Sequence, residues 1–413
     1  MKGYGEKSKS KKKNNQKLQL TKEQIIIQAF KFHAQGNILE AAKYYQFFID
    51  QGFKNYRVFI NYGAILLGQG NLNEAEESFR KAIELNSNFA DAHLNLGVIL
   101  KNLGKLKEAE ISTRKAIELD PQNATALNNY ISLLTVYKPE IINSNQICVI
   151  NEEFKKLNLS YKKSCIITNE EAIKIYQDGL KIYKKYNLSL EVNHSQIYKS
   201  NEINFDCKRH KLIFNEHKII PEFCFGCYKV QVEVDSIIEL IKLFLVFNNL
   251  KLKNNNTRKV IIETRPNISG FYKGLIYCLD LNEALAISKK LNIRIQNYIK
   301  TNLISQVKRG CSEYPLEFPK YKEIRMSGQQ PMNYNKKWRI IEKEVDQGNK
   351  DWGKSSKSIE GFNLNNFLIM RNWVAYAQII RDESVNLITN EQIKGPKFLQ
   401  NLNRDFITRK LQP

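Results

Sequence analysis

The chain has 413 residues, 42% hydrophobic and 26% charged, with a net charge of +22. These fractions exclude a disordered polymer, and the length allows two or three domains at ~100–200 residues each. The charge is uneven: residues 1–22 hold eight Lys and one Glu, residues 23–140 hold 12 basic and 13 acidic side chains, and residues 141–413 hold 44 and 28.

Lys, Asn and Ile are abundant, a bias that AT-rich codons produce without selection for function, so basicity alone does not assign a partner. The opening MKGYGEKSKSKKKNNQK has no apolar core and is not a signal peptide. Residues 1–21 read as a basic disordered tail, a solvated arm able to hold an anionic polymer only nonspecifically. The strongest apolar run, IIELIKLFLVF, contains Lys242 and falls short of the ~20 residues a membrane span needs, so no membrane partner is expected. The seven cysteines all lie beyond residue 147. An odd number without an export signal points to reduced thiols and a cytoplasmic location.

A period of 34 follows the tail. Gly36, Gly70 and Gly104 recur at that spacing, as do Ala41, Ala75 and Ala109, and Asn61, Asn95 and Asn129. Gly63 and Gly97 form a further pair. Two antiparallel helices approach closely only where one carries Gly or Ala. Gly97 would sit in a first helix, Ala109 and Ala116 in the second. Gly104 would end the first and Pro121 stop the second. The units are 22–55, 56–89 and 90–123, followed by a capping helix over 124–137 that ends before Pro139. The unit ADAHLNLGVILKNLGKLKEAEISTRKAIELDPQN resembles the tetratricopeptide repeat (TPR). The first unit is degenerate, with Ala29 in place of the first-helix Gly and Phe53 where Pro is usual. The opening MKGYGEKSKSKKK also resembles the start of TPR proteins from small marine cyanobacteria.

The TPR resemblance implies an α-solenoid over 22–137 that binds a protein or peptide in a groove lined by first helices. Carried over by position, the groove would present Ile26, Phe30 and His33, then Arg57, Ile60, Asn61, Ala64 and Leu67. Leu94, Asn95, Val98, Lys101 and Asn128 complete it. The Lys/Asn/Arg clamp that some TPR proteins use for a terminal carboxylate is not reproduced. That disfavours a receptor for chaperone tails.

Residues 138–205 read as a connector with one helix near NEEAIKIYQDGLKIYKKY. Residues 206–319 carry a cleaner pattern. YKVQVEV (228–234) alternates with period 2 and reads as a strand. DSIIELIKLFLVFNNL reads as a helix, with Ser236 and Glu239 at capping-box spacing. KVIIET (259–264) and FYKGLIYC (271–278) read as strands around the turn RPNISG. DLNEALAISKKLNIRIQNYI reads as a helix capped by Asp280, and LISQVKR (303–309) as a last strand. This β-α-β-β-α-β order predicts a ferredoxin-like α+β sandwich with strand order 4-1-3-2. A mixed α+β sheet with other pairings is the alternative. Residues 320–413 read as a helical extension, with Trp338 and Trp373 in its core.

In the predicted sheet order the ends of strands 3 and 4 meet the start of strand 1. Two metal-ligand sets follow. Cys224, Cys227, Cys278 and Cys311 would gather at one sheet edge and suit zinc or an iron–sulfur cluster. Cys207, His210, Cys224 and Cys227 form a local set suited to tetrahedral zinc. The opposing reading is that buried cysteines behave as small hydrophobes. A nucleic-acid surface of the RNA-binding sandwich type would need aromatic side chains on the open sheet face. Lys229, Gln231 and Glu233 offer none there, while Phe271 and Tyr277 beside Lys273 offer two. KRGCSEYPLEF places Arg309, Cys311 and Glu313 together without a histidine partner, so no catalytic residue is assigned. The leading expectation is a protein-interaction adaptor whose C-terminal module has an unassigned activity. A Cys-rich metalloprotein or enzyme and an RNA-binding module are the alternatives.

Overall fold

The computed structural model describes residues 21–142, 145–161, 165–201, 203–266, 268–347 and 353–402. The basic tail lies outside the described residues, except Thr21. That residue caps the first helix in a reciprocal capping box with Gln24.

Seven helices open the chain: α1 Lys22–Ala34, α2 Ile38–Asp50, α3 Tyr56–Gln69, α4 Leu72–Leu85, α5 Ala90–Asn102, α6 Leu106–Leu119 and α7 Ala124–Leu133. They pair as α1 with α2, α3 with α4, and α5 with α6. The small residues of the 34-residue period sit at the crossings. Ala41, Ala75 and Ala109 are completely buried. Gly70 and Gly104, at φ +85° and +79°, turn the chain out of α3 and α5 in the left-handed region that favours glycine. Gly97 on α5 faces α6 so closely that a Cβ there would lie 2.3 Å from Thr113 Oγ1. Gly97→Ala is therefore expected to destabilise the chain by about 1–3 kcal/mol through overpacking, read as a lowered urea midpoint.

The second half is built on a five-stranded antiparallel sheet. Its strands are β1 Gln196–Lys199, β2 Tyr228–Val234, β3 Arg258–Ile262, β4 Tyr272–Cys278 and β5 Gln306–Arg309. The order is β1-β3-β4-β2-β5, with every neighbouring pair antiparallel. The four strands read from the sequence are present in the order expected of them. β1 is an additional edge strand that the sequence reading left inside the connector. Alternation sorts the residues onto two faces. Val230, Val232, Val260, Ile262, Tyr272 and Ile276 join the main apolar cluster. α11 Ile237–Asn249 and α12 Leu281–Tyr298 pack on that side, capped by Ser236 and Asp280 as the sequence suggested. Lys229, Gln231, Lys259, Lys273, Leu275 and Tyr277 face the other way.

Two regions differ from expectation. The connector holds a second helix, α8 Gln146–Lys155, before α9 Asn169–Lys185. The C-terminal stretch is more than an extension, because α15 Leu364–Ile379 is buried on all sides and contacts α7, α8, α9, α11 and β1. Trp373 is fully buried there, whereas Trp338, on α14 Trp338–Asp346, is half-buried against α10 Cys207–His217 and its surroundings. No described helix is long and apolar enough to cross a membrane.

The helical repeats are joined firmly to the module. Tyr130 of α7 is fully buried, and its hydroxyl meets Glu110 Oε1 at 2.9 Å and Cys148 Sγ of α8 at 3.0 Å. Residues 353–359 run between the two parts. Lys354 N donates to Asn102 O at the end of α5, and Ile359 N to Thr135 O after α7, both at 2.8 Å. Ser358 N donates to Ser200 O just beyond β1 at 3.0 Å.

Candidate functional site

The expected groove residues fall into three groups. Arg57 and Ala64 on α3 are exposed, and Ile26, Phe30, Ile60, Leu67, Asn95, Val98 and Asn128 are half-buried. His33 and Asn61 are tied to one another through the Tyr45 hydroxyl, at 3.0 and 3.1 Å. Leu94 is buried in the main apolar cluster between α5 and α7, so it packs between helices. Lys101 donates to Ser132 Oγ of α7 at 2.7 Å. Burial, reinforced by the nearby Lys208, brings its ammonium down to about 8. The accessible part of the row therefore runs from α1 to the middle of α5, and the module closes the far end.

A second site lies on the polar face of the sheet. A cavity of about 750 Å³ is floored by β1, β3, β4 and β2. Residues 203–215, 223–227 and 310–314 form its walls, and Asn102 with residues 353–355 border it on the repeat side. The stretch CKRHKLIFNEHKIIPEFCFGC belongs to this wall. It forms α10 and a short 3-10 helix Glu222–Phe225 that leads into β2 at Tyr228. Seven Lys or Arg and three Asp or Glu line the cavity.

The carboxylates there are already committed. Glu263 accepts a two-pronged contact from Arg265, at 2.8 Å to each oxygen, and lies 3.5 Å from Lys273 Nζ. Glu313 pairs with Arg265. Asp206 accepts from Asn204 Nδ2 at 2.6 Å. Lys229 donates to neutral Ser312 Oγ at 3.0 Å, and Lys259 donates to Gln196 Oε1 at 3.0 Å, reaches the Tyr198 hydroxyl and lies over the rings of Tyr198 and Tyr277 at 5.4 and 5.7 Å. Burial lowers the Lys229 ammonium. Burial, then repulsion from Lys229 and Arg265, brings Lys259 down to about 8. Among the described residues neither lysine has a carboxylate within ion-pairing distance, and Glu313 and Glu263 act on them from farther off.

The cysteines bring the local ligand set to one cavity and divide the sheet-edge set. Cys207, Cys224, Cys227 and Cys311 line the cavity, and so does His210, stacked on Phe223 at 5.3 Å between centroids. Cys278 does not join them. Residues alternate along β4, so with Tyr277 on the cavity side, Cys278 turns to the helix side and is fully buried there. The sheet-edge set of four is thus divided between two faces. Among the described residues no group of three His, Cys, Asp or Glu is placed to hold a metal. Burial raises the thiols of Cys207 to about 11 and Cys227 to about 12, and raises Cys311 as well. Arg309 is structural, donating to Phe225 O and Met332 O and covering the rings of Phe225 and Tyr321.

Lys259, Glu263 and Arg265 were absent from the sequence-derived sites. The signal was available in the alternation of KVIIE, which puts Lys259, Ile261 and Glu263 on one face and Val260 and Ile262 on the other.

Residues 27–158 match the family model described as the Cilia and flagella-associated protein 70 middle TPR-like domain. No curated protein matches the chain. Among solved structures, the TPR domain of Arabidopsis OM64 is similar at 25% identity, with a TM-score of 0.26, over 27% of this chain and 93% of that one. The first TPR of Spaghetti (RPAP3), bound to an HSP90 peptide, is similar at 23% identity and a TM-score of 0.26, over 28% and 94%. YrrB, a TPR protein with an unusual peptide-binding site, is similar at 20% identity and a TM-score of 0.28, over 41% and 75%. With its helix pairs and 34-residue period, the N-terminal part of the chain is a TPR-like domain.

Proposed function

From the premise of a TPR-like domain, we propose that the protein is an adaptor that captures a partner as an extended peptide along α1, α3 and α5. The observation that carries this reading is the row of partly exposed apolar side chains, Phe30, Ile60, Leu67 and Val98, on consecutive first helices. Arg57 and Ala64 lie open beside them. Such a row offers pockets for alternate side chains of an extended strand, the usual source of specificity in peptide recognition. In the accessible part of the groove the charged member among the expected residues is Arg57, with no carboxylate among them, so the peptide is neutral to acidic. The β-α-β-β-α-β order of residues 228–309, with its antiparallel pairing, supports a ferredoxin-like sandwich as the module held beside the captured partner.

Fluorescence anisotropy with a panel of unstructured peptides tests the reading. Acidic peptides with apolar residues are expected to bind more tightly than basic ones. Ala64→Glu is expected to weaken that binding at least about tenfold, because it fills the groove and repels acidic chains. At an exposed helical position its effect on stability should stay within about 0.5 kcal/mol. Equal affinity for acidic and basic peptides, or no effect of Ala64→Glu, removes the proposal.

A further inference from the structure

We propose that the cavity on the polar sheet face binds a small phosphorylated molecule, its phosphate held by Lys229 and Lys259 and its planar portion lying against Phe205 and Tyr277. The volume is the first support. At about 750 Å³ the space falls within the ~300–1,000 Å³ of sites that enclose a metabolite or nucleotide.

Charge is the second support. Lys229 is only 6% exposed, and its strand neighbours leave its ammonium in the cavity. Among the described residues no carboxylate comes within 4 Å of the Lys229 or Lys259 nitrogen, because Glu263 and Glu313 are engaged by Arg265 and Lys273. A buried cation facing only hydroxyls, an amide and, for Lys259, the rings of Tyr198 and Tyr277 carries a desolvation cost that an oxyanion would offset. The lowered ammonium values of both lysines are the expected sign of such a site without its ligand. α10 adds to the positive potential. It starts at this cavity, and no side chain caps its first amides.

The shape of the wall is the third support. Phe205 contacts Tyr277 at 5.8 Å and Phe223 at 6.1 Å between centroids, making an aromatic side to an otherwise cationic chamber. A planar ring fits that side, and a phosphate fits beside it at Lys229 and at Lys259, the latter's Nζ lying 5.7 Å from the Tyr277 ring centroid. The proposal is independent of the peptide groove, which lies on other helices.

The test uses the full-length protein with inorganic phosphate, adenosine monophosphate and adenosine as probes in titration calorimetry. Adenosine monophosphate should bind with a dissociation constant below about 1 mM, more tightly than phosphate, and adenosine should not be detected. Lys229→Met and Lys259→Met should each weaken that binding at least about tenfold without lowering the melting temperature, since each removes an unpaired buried charge. A second readout needs no variant. Lys259, with its lowered ammonium value, should react faster than surface lysines with an amine-acylating reagent at neutral pH, and adenosine monophosphate should protect it, as followed by mass spectrometry. The proposal is overturned if neither phosphate probe binds at about 10 mM, or if binding is unchanged in both variants. It is also overturned if a single-stranded RNA binds through Lys259 while the mononucleotide does not protect it.

Discussion

Trp373→Ala is expected to cost about 3–5 kcal/mol, a large part of the ~5–15 kcal/mol that holds a typical domain together. Trp373 is fully buried on α15, in the cluster that also takes in α7, α8, α9, α11 and the helix side of the sheet. Removing the indole leaves a void in that shared core. It also removes the shorter of two hydrogen bonds to Ser195 O, the carbonyl just before β1, which accepts from Trp373 Nε1 at 2.9 Å and from Ile262 N at 3.4 Å. A lost hydrogen bond of this kind costs about 0.5–1.5 kcal/mol. Trp373→Phe separates the two effects, since it keeps most of the volume and loses only the hydrogen bond. Urea denaturation should place Phe between the parent and Ala. If Ala and the parent share a midpoint, α15 does not hold the shared core together.

Glu263→Gln is the second large effect, expected at about 3–5 kcal/mol. Glu263 and Lys273 are each 3% exposed, and Arg265 grips both oxygens of the carboxylate. Burial alone would raise the Glu263 carboxyl, but the Arg265 contacts and Lys273 more than offset it and hold it below the ordinary range. Lys273 is itself lowered, because burial outweighs what Glu263 gives back. Arg265 is therefore the partner that matters most, with Lys273 the group left stranded when the carboxylate is lost. A carboxyl depressed on folding contributes stability above its unfolded value. That contribution fades as pH falls through the folded value. The gap between parent and Glu263→Gln should accordingly be full at pH 7 and shrink as the pH drops through the acid range. A gap that stays constant with pH would contradict the ion-pair account.

The sequence carried the repeat region because close helix crossings demand Gly or Ala at fixed intervals. Gly63, Gly97 and Ala109 are those contacts in space. The four central strands were legible because one face is apolar and the other polar. Other elements left weaker traces. β1 has four residues, too few to show a period, and it exists by pairing with β3. α10 reads CKRHKLIFNEH, mostly polar, and it buries only His210, Ile213 and Phe214. Its place depends on partners such as Arg209, which bridges to Glu342 and Asp346 of α14, more than a hundred residues away. Cys224, Cys227 and Cys311 lie at one end of the sheet, as the strand order implies. Cys278 does not join them, because alternation along β4 turns Tyr277 and Cys278 to opposite faces. The cavity itself was not legible, because its lysines come from separate strands and its lid from residues on both sides of the sheet in sequence.

Photo-crosslinking tests the adaptor reading most directly. A benzophenone side chain is placed at Ala64, open on the first-helix face, or at Ile111, half-exposed on the second helix α6. The probe is the tightest-binding acidic peptide of the panel. The peptide should crosslink at position 64 and not at position 111. Crosslinking at 111 alone, or equally at both, would contradict capture along the first helices.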